Sequence, residues 1–402
     1  MRTTPIPLPS KGVNNRQAET GVPPGQVRDA VNVNIDIEGR LTRRSGYRVL
    51  ARGRRFHSLI EHEGRILVGV NKTLALVDPD TFEPVPICSL TSATPLAFAR
   101  HGSRLFATNG HQLIVIDGDR AWDAAGMLPV FDVEPHDTGA LPAGEYGVVV
   151  AAINPDGTDS PSQFLQIELA TSGGIRLVDM PTGHPEYRVY LTPPNGEELR
   201  LAETVPAGVQ AWLVGTPAAG ALNHEVGLAA MPAGEHIASY MGRLYVGTLD
   251  QLFMSEPQAP TRYNPATGWM RTPGLRFVAA SEAGLVVSDV SGTYLHTDDP
   301  RSQTSRVRLL TRSRAAHGSS LVVAGEVFGD SGEWLVWLTE HGFAMLSPGG
   351  ELQQPQRGTL KVDVTAPATL TLRHENGQTR IIAATHEAAN GSNTFKDTTE
   401  VE

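Results

Sequence analysis

The sequence predicts an all-β protein: a β-propeller of five or six blades, interrupted by an inserted β-sandwich and led by an extended N-terminal arm. Three observations predict it. The 402 residues include 41 Gly and 29 Pro, a load that disfavours helices, yet 40% are hydrophobic, which suffices for a buried core and argues against disorder along the whole length. A unit of short strands recurs about every 40 residues. One interval between copies carries a domain-sized excess.

Residues 1–38 come first, with Pro5, Pro7, Pro9, Pro23 and Pro24. Prolines fix an extended backbone and remove sheet donors, so this stretch reads as an arm lying over another surface and reaching a neighbour; a disordered terminus is the alternative. Within it Val31, Val33, Ile35 and Ile37 alternate with polar residues, as on one face of a strand. Glu38-Gly39 then reads as a hairpin turn, with Arg40 to Leu50 returning.

The repeat occupies 39–134 and resumes over 235–402. Each copy is a turn, a strand, a break, and a second strand ending at an Asp-Pro-like stop. Glu63-Gly64-Arg65-Ile66-Leu67-Val68-Gly69 precedes Leu74 to Pro79, His101-Gly102-Ser103-Arg104-Leu105-Phe106-Ala107 precedes Leu113 to Gly118, and Met241-Gly242-Arg243-Leu244-Tyr245-Val246-Gly247 precedes Leu252 to Pro257. Weaker copies begin at Ala283 and Gly318. A unit of this length built from short antiparallel strands cannot bury both its faces alone and needs neighbours around a ring. A sandwich with accidental internal similarity remains the alternative.

Arg65 and Arg104 lie 39 residues apart but Arg104 and Arg243 lie 139 apart, which places an insertion over 135–234. It offers a strand from Leu141 to Ile153, the turn Asn154-Pro155-Asp156-Gly157, and short strands around Ile175, Tyr187, Leu199 and Ala211. This stretch resembles a fibronectin type III or Ig-like module.

Charge and composition exclude several functions. Lys and Arg total 33 against 43 acids, a net charge of −10, so the bulk surface repels nucleic acid and anionic lipid. Cys88 is the single cysteine, which rules out an intrachain disulfide, a zinc–thiolate cluster and a Cys-pair redox motif. The N-terminus lacks the apolar core of a signal peptide, and no apolar run approaches the roughly 18 residues of a membrane span.

Catalytic patterns are missing too: neither Gly-x-Ser-x-Gly nor His-Glu-x-x-His occurs. His57, His62 and His101 are spaced by five and then 39 residues, which places no three imidazoles on one face, so they read as rim histidines. Asp78-Pro79-Asp80, Asp117-Gly118-Asp119 and Asp156-Gly157-Thr158-Asp159 read as turns rather than calcium loops. Ser288-Asp289-Val290-Ser291-Gly292-Thr293-Tyr294 resembles the Asp-box hairpin of sialidase-type propellers, which is a structural turn. The expectation is a protein that is not an enzyme, with no catalytic residue, metal or cofactor.

Arginine is distributed less blandly. Arg40, Arg43, Arg44, Arg48, Arg52, Arg54 and Arg55 put seven cations into 16 residues of an acidic chain. Arg forms bidentate bonds with carboxylates and phosphates, so the cluster suits an acidic protein partner or passing DNA; a solvated rim strand is the other reading. Arg301, Arg306, Arg308, Arg312 and Arg314 form a second group.

The stretch from Pro24 to Asn34, then Glu38-Gly39-Arg40-Leu41-Thr42-Arg43-Arg44-Ser45-Gly46-Tyr47, resembles the opening of the hub or nozzle (tail tubular protein B-like) propellers of short-tailed bacteriophages. Met241 to Gly247, through Ser255-Glu256-Pro257 and Arg262-Tyr263-Asn264, is similar to a blade of that family. The resemblance implies a structural virion protein of the tail, assembled in the bacterial host cytoplasm. It would form a homo-oligomer, a hexameric ring below the head-to-tail adaptor protein. The ring would continue the channel for viral DNA without sequence-specific binding, and would carry tail fibres or a needle-like plug. It carries over no catalytic residue. A receptor- or carbohydrate-binding propeller is the competing reading.

Overall fold

The computed structural model describes residues 8–30, 33–36, 38–44, 55–126, 128–206, 208–257, 259–302, 305–375 and 377–385. The chain is all-β and its repeat is a propeller repeat. Among the described residues, five four-stranded antiparallel meanders follow one another. Blade 1 is Phe56–His62, Arg65–Val70, Thr73–Val77 and Pro84–Ser89; blade 2 is Ala97–His101, Arg104–Thr108, Leu113–Asp117 and Arg120–Asp123. Blade 3 is His236–Tyr240, Arg243–Gly247, Gln251–Met254 and Trp269–Arg271; blade 4 is Phe277–Ser281, Gly284–Ser288, Thr293–His296 and Val307–Thr311. Blade 5 is Ala315–Ala324, Glu333–Thr339, Gly342–Leu346 and Leu352–Gln353.

The second and third strands carry apolar runs, such as Leu105-Phe106-Ala107 and Leu113-Ile114-Val115-Ile116, where both their faces are covered. In blade 2, Leu105, Ile114 and Ile116 pack with Leu67 and Leu74 of blade 1. The residues between them, Phe106, Leu113 and Val115, point the other way, onto Ile237, Leu244 and Val246 of blade 3. The alternation repeats along the series. Tyr245, Leu252, Leu285 and Val287 join blades 3 and 4, and Phe277, Val286, Leu335 and Trp337 join blades 4 and 5. Each such side chain contributes about 1.5–3 kcal/mol on burial, so the interfaces between blades are the core. The turns into the second strands in blades 1 and 3 hold two residues. Glu63-Gly64 and Met241-Gly242 have φ of 51° and 74°, and of 47° and 71°, the left-handed pair a tight hairpin turn needs.

The insertion lies between blades 2 and 3. Its strands form a three-stranded sheet, in the order Asp132–Leu141, Gly173–Val178, Trp212–Val214, and a four-stranded sheet, in the order Gln163–Leu169, Gly144–Ala152, Glu186–Leu191, Arg200–Pro206. Tyr146, Val148, Val150 and Ala152 alternate into the core between them. The Tyr146 hydroxyl donates to the Pro142 carbonyl at 2.8 Å, the tyrosine corner of Ig-like sandwiches. Here the corner sits on the second strand of the module. Asn154 to Gly157 close a turn, with the Gly157 amide donating to the Asn154 carbonyl at 2.9 Å.

Arg262 fastens the sandwich to the propeller. Its side chain is 1% exposed; Nη2 donates to the Asp159 carbonyl at 2.6 Å, Nη1 to the Ala124 carbonyl at 3.3 Å, and Nε stands 3.4 Å from Glu225. Asp159 in turn accepts from Arg188 and Tyr190 of the sandwich. Arg104 adds an ion pair of 2.7 Å with Asp156 in the turn.

Over residues 8–30 the N-terminal segment, expected to lie over another surface and reach a neighbour, lies against its own chain. It folds back on itself, with Lys11 donating to Gly25, and Asn14 and Val27 bonded across. It is also pinned to its own chain: Asn15 exchanges hydrogen bonds with Lys361, and Arg16 donates to the Leu360 carbonyl. The reason is local. Gly12 and Gly25, at φ of 75° and 84°, make the turns that prolines alone do not. At the other end the hairpin Ala368–Glu375 and Gln378–Thr385 packs on blade 5 through Leu370, Ile381 and Ala383. No helix among the described residues is long and apolar enough to cross a membrane.

Candidate functional site

Four of the seven clustered arginines are described; Arg48, Arg52 and Arg54 lie outside the described residues. Arg40, Arg43 and Arg44 belong to one hairpin, Val33–Ile35 with Leu41–Arg43, in the register Val33 with Arg43 and Ile35 with Leu41. Asp36 shapes its turn, accepting at Oδ1 from the Glu38 and Arg40 amides at 2.9 and 2.8 Å. Gly39, at φ of 84°, presses this turn against the N-terminal segment, where a Cβ would stand 2.6 Å from the Ser10 nitrogen. All three arginines are exposed, and Arg40 pairs with Glu38 at 2.7 Å. Arg44 lines a cavity with Asn34, Arg373, Arg380 and Ile381 of the C-terminal hairpin. Arg55 is exposed at the foot of blade 1, where its backbone pairs with Asn71.

The second arginine group divides. Arg301 turns inward and pairs with Glu256 at 2.9 Å, beside the pair of Arg243 with Asp299, also at 2.9 Å. Arg308 donates to the Gly350 carbonyl. Arg306, Arg308 and Arg312 are exposed along the outer strand of blade 4, beside Val307 and Leu309.

The histidines weighed in the sequence stay apart: His57 bonds Ser58 and the Asn71 carbonyl, and His101 bonds Ser239 across blades 2 and 3. A different set converges. Glu235, His236 and His317 bring one carboxylate oxygen and two ring nitrogens within 4.8 Å of one another. His236 Nε2 is 3.1 Å from His317 Nε2, which is 3.0 Å from Glu235 Oε2. The two rings are tilted by 54° with centroids 4.4 Å apart, so their nitrogens meet rather than their faces. His236 is buried, His317 half-buried and Glu235 exposed. Burial, with His317 alongside, holds the His236 imidazole down at about 3. Burial also lowers His317, against the pull of Glu235.

Local spacing could not find this set, because His236 and His317 are 81 residues apart. One signal was present: His236 faces Gly247, the glycine closing the second strand, as His57 faces Gly69 in blade 1. Aligning the blades on that glycine marks a histidine at the entry of the first strand.

The Asp-box-like turn is structural as expected, with Asp289 Oδ1 accepting from the Ser291 amide and hydroxyl at 2.7 and 2.6 Å. Asp78 does the same for Asp80 and Thr81, and those bonds hold its carboxyl below the usual range.

No family model matches the chain, and no curated protein matches it. Solved structures similar to it include the extracellular domain of a hybrid two-component system from B. thetaiotaomicron, at 10% identity and a TM-score of 0.24, covering 86% of this chain and 54% of that one. BBS1N in complex with ARL6DN gives 11% and 0.27, covering 80% and 84%. KlHsv2 with loop 6CD replaced by a Gly-Ser linker gives 8% and 0.27, covering 83% and 98%. The chain spans about half the length of the B. thetaiotaomicron domains.

Proposed function

We propose that the chain is a structural subunit of a short-tailed bacteriophage tail. It would act as a nozzle or hub ring protein that meets the head-to-tail adaptor on one side and fibres or a plug on the other, with viral DNA passing through. The observation that carries this reading is the hairpin bearing Arg40, Arg43 and Arg44, which presents exposed guanidinium groups on an otherwise acidic chain of net charge −10. Such a hairpin suits an acidic protein surface, which a guanidinium fork grips at two points. In a ring that contact is repeated at each subunit, so modest energies multiply. The acidic remainder favours passage of DNA over its retention, since like charge removes counterion-release binding. The family resemblance of the same segment points the same way.

The test is charge reversal of the hairpin, Arg40→Glu, Arg43→Glu and Arg44→Glu together, read by negative-stain microscopy of the purified protein and by incorporation into particles. The expected outcome is a folded subunit that no longer joins rings or particles. Incorporation at the wild-type level would overturn the reading. Glycan binding by a variant that still incorporates would favour the carbohydrate-binding alternative.

A further inference from the structure

We infer that Glu235, His236 and His317 form a binding site for one divalent transition-metal ion of the zinc class, placed where the entries of blades 3, 4 and 5 meet. Two imidazole nitrogens and a carboxylate oxygen are the donors of three-ligand zinc sites, which keep a fourth position open. Spacing agrees with that use. Zinc–ligand bonds of about 2.0–2.1 Å in a tetrahedron put neighbouring donor atoms about 3.3 Å apart. Two of the three contacts here are 3.1 and 3.0 Å, so those pairs need to part by only a few tenths of an ångström, and the third, between His236 and Glu235, lies within 4.8 Å.

Proton arithmetic points the same way. The Leu275 carbonyl is in hydrogen-bonding contact with the His236 ring. With Nε2 turned to His317, the nitrogen left to donate to that carbonyl is Nδ1, so neutral His236 presents a bare lone pair at Nε2. Orienting a ligand ring through its second nitrogen is the usual support of a metal-bound histidine. Glu235 is also an acceptor, so one N–H on His317 is shared by two acceptors. A cation at that point satisfies all three atoms at once.

The donors are held before any ion arrives. Glu235 and His236 follow Gly234, whose amide and carbonyl both bond the Thr108 hydroxyl of blade 2, at 3.0 and 2.8 Å. A Cβ at Gly234 would stand 2.3 Å from the Gly247 carbonyl, so only glycine permits this entry to the strand. His317 sits in the bulge between Ala315 and Ser320, where Gly318 takes φ of 72° and donates to the Arg276 carbonyl at 2.9 Å. The charge of Arg276 acts on His317. It opposes any cation at that point, the proposed ion included, so an anionic fourth ligand such as hydroxide or a carboxylate would offset it.

This inference stands independently of the tail assignment and is tested without it. The full chain, stripped of metal, is titrated with Zn²⁺ against a chromogenic zinc indicator, and with Co²⁺ while visible absorption is recorded. The expected result is one equivalent of Zn²⁺ per chain, with tetrahedral Co²⁺ bands. Affinity should fall at least about tenfold in His317→Ala and in Glu235→Gln. Glu235→Gln is isosteric at an exposed side chain, so it keeps the test decisive if His317→Ala fails to fold. Absence of stoichiometric Zn²⁺ binding, or binding unchanged in Glu235→Gln, would overturn the inference.

Discussion

Arg262 is the joint at which blade 2, the sandwich and the segment leading back from it meet, and Arg262→Met removes the polar part of that joint while keeping much of its volume. The side chain is 1% exposed and gives charged hydrogen bonds to two carbonyls of other units, Asp159 at 2.6 Å and Ala124 at 3.3 Å, besides its contact with Glu225 at 3.4 Å. Each hydrogen bond from a charged group contributes about 1.5–3 kcal/mol. Loss of one partner from a buried ion pair costs about 3–5 kcal/mol, because the group left behind stays desolvated. Burial already lifts the Glu225 carboxyl above its usual range against the pull of Arg262, so its removal leaves Glu225 worse off still. The Glu225 side chain is 30% exposed, however, and water can reach it, which holds the expected loss near about 3 kcal/mol rather than the upper end. Arg262→Lys should recover little, since one ammonium cannot reproduce a fork that spans two carbonyls. Urea unfolding followed by tryptophan fluorescence reads the effect, with Trp212 reporting on the sandwich and Trp337 on blade 5. Limited proteolysis of 215–228 reads the release of the joint. The reasoning fails if Arg262→Met lies within about 1 kcal/mol of wild type and the segment is cleaved no faster.

Two further outcomes follow from packing and from protonation. Gly247→Ala places a Cβ 2.2 Å from Leu275 Cδ2, and Leu275 is 1% exposed with little room to move, so stability should fall by about 1–3 kcal/mol in chemical denaturation. His296 is 4% exposed, its Nδ1 has no hydrogen-bond partner, and burial lowers its pKa from the ordinary 6.5. Below pH 6.5 the unfolded chain therefore takes up a proton that the folded chain refuses, and stability is lost as pH falls from 6.5 toward the lowered value. His296→Leu should flatten that slope by up to about 1.4 kcal/mol per pH unit, measured by denaturation midpoints at stepped pH; parallel slopes would refute it.

What the sequence disclosed follows the burial. Second and third strands such as Arg104–Thr108 and Leu113–Asp117 are covered on both faces, so their apolar runs stand out and repeat. Fourth strands are half-covered edges: Arg120–Asp123 has no buried residue, and Leu352–Gln353 is two residues long, so neither leaves a pattern. The insertion was legible because it stretches one interval of a regular series. Prolines near the N-terminus suggested an extended arm, whereas the conformation of residues 8–30 is set by Gly12 and Gly25 and by bonds to Leu360 and Lys361, more than 300 positions away. Arg262 stood inside a recognisable motif, but its role did not, because its partners Ala124 and Asp159 are 138 and 103 residues distant.

The same division explains where the histidine–glutamate set arose. A propeller fixes its core with the middle strands, where a change of one side chain opens a cavity between blades. The entry of each first strand varies from blade to blade: blade 2 starts with Ala97, blade 3 with His236 and blade 4 with Phe277, which is itself a core residue. These entries are nonetheless held rigidly, by clamps such as Thr108 on Gly234, and the packing of successive blades brings their entries together. Positions free in identity but fixed in space are where a scaffold can acquire chemistry without losing its fold. They are also the positions a search for local spacing misses, since proximity there is set by the turn from blade to blade and not by the chain between.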